Sequence, residues 1–207
     1  MALIVPKQSL LPYNQMEKLF EPLLKVQNEL IQQNDIIYDA KKAAVSVIIN
    51  NLDEMNPTIL LIKRNEYDGH HSGQMAFPGG KMDESDGDLL ETAIRESLEE
   101  IGVDLKNKDF KTLQPVWVKV SNFLLFPYLT FVDKNHEFEI NKREINRIFE
   151  IPVSFFRNQE FLKAHQIEIN GEKFWSPYFE YENETIWGAT AIIIYQNIYL
   201  KDPFTIN

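Results

Sequence analysis

The run Arg95-Glu96-Ser97-Leu98-Glu99-Glu100-Ile101-Gly102-Val103 closes a segment that reads as one helix over residues 88–101. Both ends are signalled: Asp88 and Glu91 have the spacing of an acidic capping box, and Gly102 stands where a left-handed C-terminal cap is expected. At about 3.6 residues per turn, Glu96, Glu99 and Glu100 fall within an arc of roughly 100°, while Leu90, Ile94, Leu98 and Ile101 cluster nearly opposite. The spacing therefore predicts an acidic face and a core face. Like charges three and four positions apart repel by about 0.2–0.5 kcal/mol per pair, so such a face calls for a positive partner. Arg95 is placed to reach Glu99 one turn on, and a solvated face neutralised in that way is the commoner outcome for an acidic helix. The other candidate is a divalent cation. Hard oxygen donors in this number suit Mg²⁺, or Mn²⁺ in its place, rather than zinc or copper.

Upstream of the helix, Pro78-Gly79-Gly80 forces a turn after the short segment 74–77, which a loop over residues 65–72 precedes. Residues 43–49 and 58–62 are β-branched and apolar with a turn-rich stretch between them, and read as paired strands. Downstream, residues 113–120, 123–132 and 138–140 read as strands, and 142–149 as a short helical turn before Pro152. Residues 155–181 are rich in aromatics, for which core packing is the expected use, and 187–197 read as a last helix. At the other end, Leu19, Leu23, Leu24, Leu30 and Ile31 recur at near-helical spacing over residues 12–34, after Pro6 and Pro12. With no repeat or linker, the economical division is a helical extension over residues 1–40 and one domain over 41–207.

The bulk numbers agree with a globular chain and narrow its partners. Of 207 residues, 44% are hydrophobic and 25% charged, the range of an ordinary folded domain. A formal charge of -10 repels nucleic-acid backbones and anionic membranes, yet leaves room for a phosphorylated small molecule wherever a cation neutralises the site. The absence of cysteine excludes disulfides, thiolate nucleophiles and Cys-based metal sites. No window reaches the length of a membrane span and no secretory leader is visible, so the expectation is no membrane partner and a cytoplasmic location.

The opening run resembles the R-E-U-x-E-E-x-G-U end of the Nudix box. Phe77-Pro78-Gly79-Gly80-Lys81-Met82-Asp83-Glu84-Ser85-Asp86 resembles the F-P-G-G-x-x-D-x-x-D opening found in the coenzyme A diphosphatase (CoA pyrophosphatase) branch of the Nudix family. Gly87 stands where the general box has its first glutamate, and Asp86, or else Asp83, is the candidate replacement. Leu60-Leu61-Ile62-Lys63-Arg64 and His71-Ser72-Gly73-Gln74-Met75-Ala76-Phe77-Pro78-Gly79-Gly80 resemble the branch's L-L-x-x-R and H-x-G-Q-x-x-F-P-G-G elements, with Gly69 in the place of a signature arginine. Glu144 to Pro152 resembles its E-V-x-x-I-F-x-V-P element, and Ile186-Trp187-Gly188-Ala189-Thr190 its I-W-G-x-T element.

This resemblance implies an α+β Nudix fold: an α/β/α sandwich with a mixed β-sheet between helices, a loop-helix-loop box, and the N-terminal helix in addition. It implies Mg²⁺-dependent hydrolysis, with Mn²⁺ as substitute, of the diphosphate bond of coenzyme A or acyl-CoA, giving 3′,5′-ADP and the matching 4′-phosphopantetheine. The alternatives are a Nudix hydrolase of ADP-ribose, nucleoside-diphosphate sugars or nucleotides, and a silent Nudix-fold binding protein. The metal ligands implied are Gly80, through its carbonyl, with Glu96, Glu99 and Glu100. Glu99, Glu100 and Glu144 are the candidates to take the proton of the attacking water, and Arg95 orients the box carboxylates. Arg64, His71 and Gln74 are the substrate-binding candidates. Structural uses stand beside these: Glu144 as an acid at a helix N-terminus, His71 as a tie holding its loop to Gln74, and the N-terminal helix as cover for the sheet or as a homodimer contact.

Overall fold

A computed structural model describes residues 13–32, 39–51, 53, 55–68, 71–132 and 137–201. Pro6, Pro12 and Gly69 lie outside the described residues. The chain runs α1 (Tyr13–Gln32), β1 (Lys41–Asn50), β2 (Thr58–Arg64), β3 (Met75–Ala76), β4 (Gly79–Lys81), α2 (Leu89–Ile101), β5 (Phe110–Thr112), β6 (Val116–Val118) and β7 (Phe123–Val132). It continues through β8 (Ile145–Pro152), α3 (Val153–Arg157), β9 (Lys163–Ile169), β10 (Glu172–Tyr181), β11 (Glu184–Ile186) and α4 (Gly188–Ile194), which widens into a π-helical turn over Tyr195–Tyr199.

The sheet is mixed and β1 is its centre. β1 lies parallel to β7 along its whole length, with Lys41 opposite Phe123 and Asn50 opposite Val132. On its other side β1 pairs antiparallel with β4 near its start and with β2 at its end. β8 and β3 pair with β2, and β5 and β6 with β7. A strand with neighbours on both edges and elements on both faces must be apolar throughout, and Ala43 to Ile49 are all buried. Val45, Val47, Ile49, Ile59 and Leu61 face one core with α1 and α4, whereas Ile48, Leu60 and Ile62 face a second core with Ile101, Val103 and Ile145. Alternation along the strands thus divides the two sides of an α/β/α sandwich.

α1 is built into the larger core: Met16, Phe20, Leu23 and Leu30 are buried, and Phe20 meets Tyr195 edge to face at 5.0 Å. Its buried Gln27 closes a strand edge as a strand would: Nε2 donates to Trp117 O at 3.2 Å, and Oε1 accepts Trp117 N–H at 3.1 Å. The aromatic stretch forms the antiparallel sheet β9, β10 and β11, where Tyr178 and Phe179 are buried and Phe174, Trp175 and Tyr181 half-buried, in keeping with packing. No helix among the described residues is long and apolar enough to cross a membrane.

Three sequence expectations are corrected here. Residues 142–149 are not a helical turn: a tight turn at 142–144 leads into strand β8. Thr58 of β2 stands opposite Pro152, and the register places Phe149 and Ile151, both buried, against Leu61 and Ile59. Residues 138–140 form no strand, because Glu139 N–H and Asn141 N–H donate to the last carbonyls of α2, Ile101 O and Glu100 O, at 3.1 and 3.0 Å. Within 113–120 only Val116–Val118 is strand, and a short 3-10 turn, Lys119–Ser121, follows it.

Candidate active site

Helix α2 begins and ends as its sequence signals. Asp88 accepts the Glu91 N–H at 2.9 Å, and Glu91 reaches one residue beyond the box geometry to accept the Gly87 N–H at 2.7 Å. Gly102 closes the helix in a left-handed conformation. The face turned to the sheet keeps Ile101 and Ile94 of the face that periodicity selects, Ile101 buried and Ile94 packed against the second core, but is rotated away from Leu98. Leu98 is 45% exposed and Glu100 1% exposed, and the buried positions are Thr92, Ala93, Ser97, Glu100 and Ile101. Small side chains let α2 lie close on β1, where Ser46 Oγ donates to Ala93 O at 2.9 Å and Ser97 Oγ to the same carbonyl at 2.9 Å. A leucine face would hold the helix farther off. Close approach brings the carboxylates of Glu96 and Glu100 onto the backbone of β4.

Gly79 and Gly80 make that contact sterically possible. A β-carbon on Gly79, whose φ is 153°, would fall 2.3 Å from Ala44 O, and one on Gly80 would fall 2.4 Å from Glu96 Oε1. Gly79 N–H donates to Glu100 Oε2 at 2.9 Å. Glu100 Oε1 is buried and accepts no hydrogen bond among the described residues, with Arg64 Nη1 standing 3.4 Å away. Loss of hydration pushes the Glu100 carboxyl up to about 7, opposed by the Arg64 charge and the Gly79 N–H and reinforced by Glu96 and Glu144. Burial also raises Glu96, against the hydrogen bond and charge of Arg95 and with the charges of Glu99 and Glu144 adding to the rise. Glu144 therefore belongs to the same electrostatic site although it comes from another element.

Arg95 is the hub of the acidic face. Its Nε and Nη2 bind Asp86 Oδ1 and Oδ2, both at 2.9 Å, and its Nη1 reaches Glu96 Oε1 at 2.9 Å and Glu99 Oε2 at 3.1 Å. Asp86 also accepts from Thr92 Oγ1 at 2.9 Å and from Asp83 N–H at 2.9 Å. The two hydrogen bonds from Arg95 hold the Asp86 carboxyl far below its usual range, and Asp86 raises Arg95 in return. Of the two candidates for the missing box glutamate, Asp86 is the one at the arginine. Asp83 instead closes a turn, accepting from Ser85 N–H and Oγ at 3.0 and 3.1 Å.

The remaining predicted residues divide. Arg64 reaches the site through Glu100 and stands 3.5 Å from Gly79 O, so its guanidinium faces the carboxylates. Its neighbour Lys63 pairs with Glu184 of β11. His71 bonds Gln74 Oε1 through Nδ1 at 3.0 Å and Ser121 Oγ through Nε2 at 3.1 Å, so both ring nitrogens serve the loop. Glu144 lies in the turn ahead of β8 and accepts from Asn141 Nδ2 at 3.0 Å; since no helix follows, the helix N-terminal role is removed. Ser121, and Gly79 as a donor, carried no sequence signal, since each acts through a partner more than 20 positions away.

The residues present fit a divalent cation. Glu100 Oε1 is a buried oxygen awaiting a donor or a cation, the other donors are hard carboxylate oxygens, and the approach along Gly80 admits no side chain. Among the described residues no three acidic or imidazole groups already form a metal-holding cluster, since Arg95 and Arg64 draw the carboxylates to themselves.

A model of the NUDIX domain matches residues 40–174 of this chain. The uncharacterized Nudix hydrolase NudL of Yersinia enterocolitica is 33% identical over 160 residues, which covers 76% of this chain and 80% of that protein. The mitochondrial Nudix hydrolase 15 of Arabidopsis thaliana is 32% identical over 163 residues, covering 76% of this chain and 57% of that one. Among solved structures, a MutT/nudix family protein from Enterococcus faecalis superposes with a TM-score of 0.53 at 16% identity, over 90% of this chain and 73% of that chain, a likeness of fold.

Proposed function

The chain belongs to the Nudix hydrolase family, and on that premise we propose that it hydrolyses the diphosphate bond of coenzyme A or an acyl-CoA, releasing 3′,5′-ADP and the matching 4′-phosphopantetheine. The observation that carries the reaction type is the seating of Glu96 and Glu100 against the Gly79-Gly80 backbone. Glu96, Glu99, Glu100 and the Gly80 carbonyl are the groups assigned to hold Mg²⁺ or Mn²⁺. The bound cation supplies neutralisation of diphosphate charge and a more acidic water. Arg95, anchored by Asp86, sets the orientation of Glu96 and Glu99. Glu144 approaches from a separate turn and engages no arginine in the described residues, which makes it the acceptor we assign for the proton of the attacking water.

The coenzyme A assignment is supported by the loop signature His71-Ser72-Gly73-Gln74 ahead of Phe77-Pro78-Gly79-Gly80. Because Arg64 faces Glu100, its assigned role is at the diphosphate end of the substrate, and His71 and Gln74 act by shaping the loop. The deciding experiment is product analysis of the purified protein with Mg²⁺ and a panel of coenzyme A, acetyl-CoA, ADP-ribose, nucleoside-diphosphate sugars and nucleotides. Release of 3′,5′-ADP at the highest kcat/KM supports the reading. Far faster turnover of ADP-ribose replaces the substrate, and binding without turnover of any member removes the enzymatic assignment.

A further inference from the structure

The loop after β2 is held at a point that the signature does not mark. Its base is closed by Gly73 N–H to Asn65 O and Arg64 N–H to Gln74 O, each 3.1 Å. His71 adopts a φ of 68°, a left-handed conformation that a residue with a β-carbon takes only at a cost. That strain accompanies a side chain bound at both nitrogens. With Gln74 Oε1 as acceptor, Nδ1 carries the proton, and the neutral ring then accepts the Ser121 hydroxyl at Nε2.

Ser121 ends the 3-10 turn Lys119–Ser121, and Lys119 Nζ donates to Asn170 Oδ1, between β9 and β10, at 2.9 Å. Segments around residues 71, 121 and 170 are thus tied in series. They gather at the end of the sheet that carries the site, because Phe123 lies opposite Lys41 at the start of β1 and Gly80 lies opposite Ala44. Arg64, at the foot of the loop, faces Glu100.

We propose that Ser121 is a positioning residue for substrate binding: by holding His71 it fixes the 71–74 segment and the wall beside Arg64, without touching the carboxylate cluster. The inference rests on the diphosphatase reading of this site. A hydroxyl bonded to a loop in this way governs how well the substrate's organic part is received, so its loss is read in KM while kcat is kept. Partial exposure of Ser121 means that its replacement by alanine leaves no buried cavity.

The experiment compares wild type with Ser121→Ala, Ser121→Thr, His71→Asn and the double variant Ser121→Ala/His71→Asn. Asparagine tolerates the left-handed conformation but is too short to span to Ser121. Kinetics are measured on whichever substrate of the panel turns over best, and thermal melts and Mn²⁺ affinity are followed in parallel. Expected are a KM raised roughly 3- to 10-fold in Ser121→Ala, the range of one net hydrogen bond, with kcat within about twofold and Mn²⁺ affinity kept. Threonine should restore KM, and the double variant should be no worse than the poorer single one. A KM for Ser121→Ala within error of wild type, a fall in kcat at constant KM, or additive effects in the double variant would each overturn the proposal. Failure of coenzyme A in the panel overturns the substrate reading alone, since the latch is then tested on the substrate that succeeded.

Discussion

Asp86 holds Arg95 through two parallel contacts, Oδ1 to Nε and Oδ2 to Nη2, each 2.9 Å long. Arg95 in turn spans Glu96 and Glu99, so Asp86 acts on the carboxylates at one remove. Asp86→Ala is expected to lower kcat/KM by about 10–100-fold, the usual cost of losing a group that orients metal ligands. Mn²⁺ titration should show weaker binding in the same variant. Wild-type values for both would show that Arg95 keeps its place without Asp86.

Gly80→Ala tests the close approach directly. The added methyl would sit 2.4 Å from Glu96 Oε1, so the carboxylate has to move. A displacement of about 1 Å can cost on the order of 100-fold in rate, and a loss of that size is expected with the melting temperature little changed. Activity close to wild type would mean that Glu96 does not depend on its seat at Gly80.

Glu144→Gln separates proton transfer from metal holding. Glutamine keeps the hydrogen-bonding turn with Asn141 but cannot take a proton. Removal of a general base costs typically about 100-fold or more, so kcat should fall by that amount while Mn²⁺ affinity changes little. If instead Mn²⁺ binding collapses with the rate, Glu144 is a ligand.

Glu100 makes stability depend on pH when no cation is present. Its carboxyl titrates near 4.5 when unfolded and at about 7 when folded, so the folded chain holds the extra proton between those values. The stabilisation is complete below about pH 4.5 and is lost as pH rises through 7. In EDTA, melts from pH 5 to 8 should show wild type declining relative to Glu100→Gln, and the two curves running in parallel would sink the idea.

His165 imposes the opposite slope. It is 3% exposed, its Nδ1 has no hydrogen-bond partner among the described residues, and burial lowers its pKa below the ordinary 6.5. The unfolded chain takes up a proton first as pH falls through 6.5, so stability is lost on the acid side. His165→Phe, which keeps a ring against Tyr178, should remove that acid-side loss in thermal melts from pH 7.5 to 5; an unaltered slope would clear His165 of the effect.

Local signals served well where the determining physics is local. Asp88 and Gly102 fixed the ends of α2 because capping is decided within a few residues. Periodicity put Glu96, Glu99 and Glu100 on one arc, but it could not choose the face laid on the sheet. Leu98 lost that place to Ser97 and Ala93, since a short distance between α2 and β1 outweighs the burial of one leucine. The segment after Asn141 is a strand rather than a helical turn for a related reason. Ile145, Phe149 and Ile151 carry no decisive period, and their strand pairing is conferred by β2, more than 80 positions earlier.

By itself, then, the sequence determined the Nudix family, the mixed α+β architecture and the arginine and carboxylates of the candidate site, because these are written as contiguous motifs. Tertiary structure alone decided that Asp86 rather than Asp83 anchors Arg95, that Arg64 faces Glu100, and that His71 is spent on Gln74 and Ser121. Each of those outcomes is a choice between partners that the folded sheet brings together from separate parts of the chain. A residue's type limits what it can bond, and only the fold supplies what stands within reach.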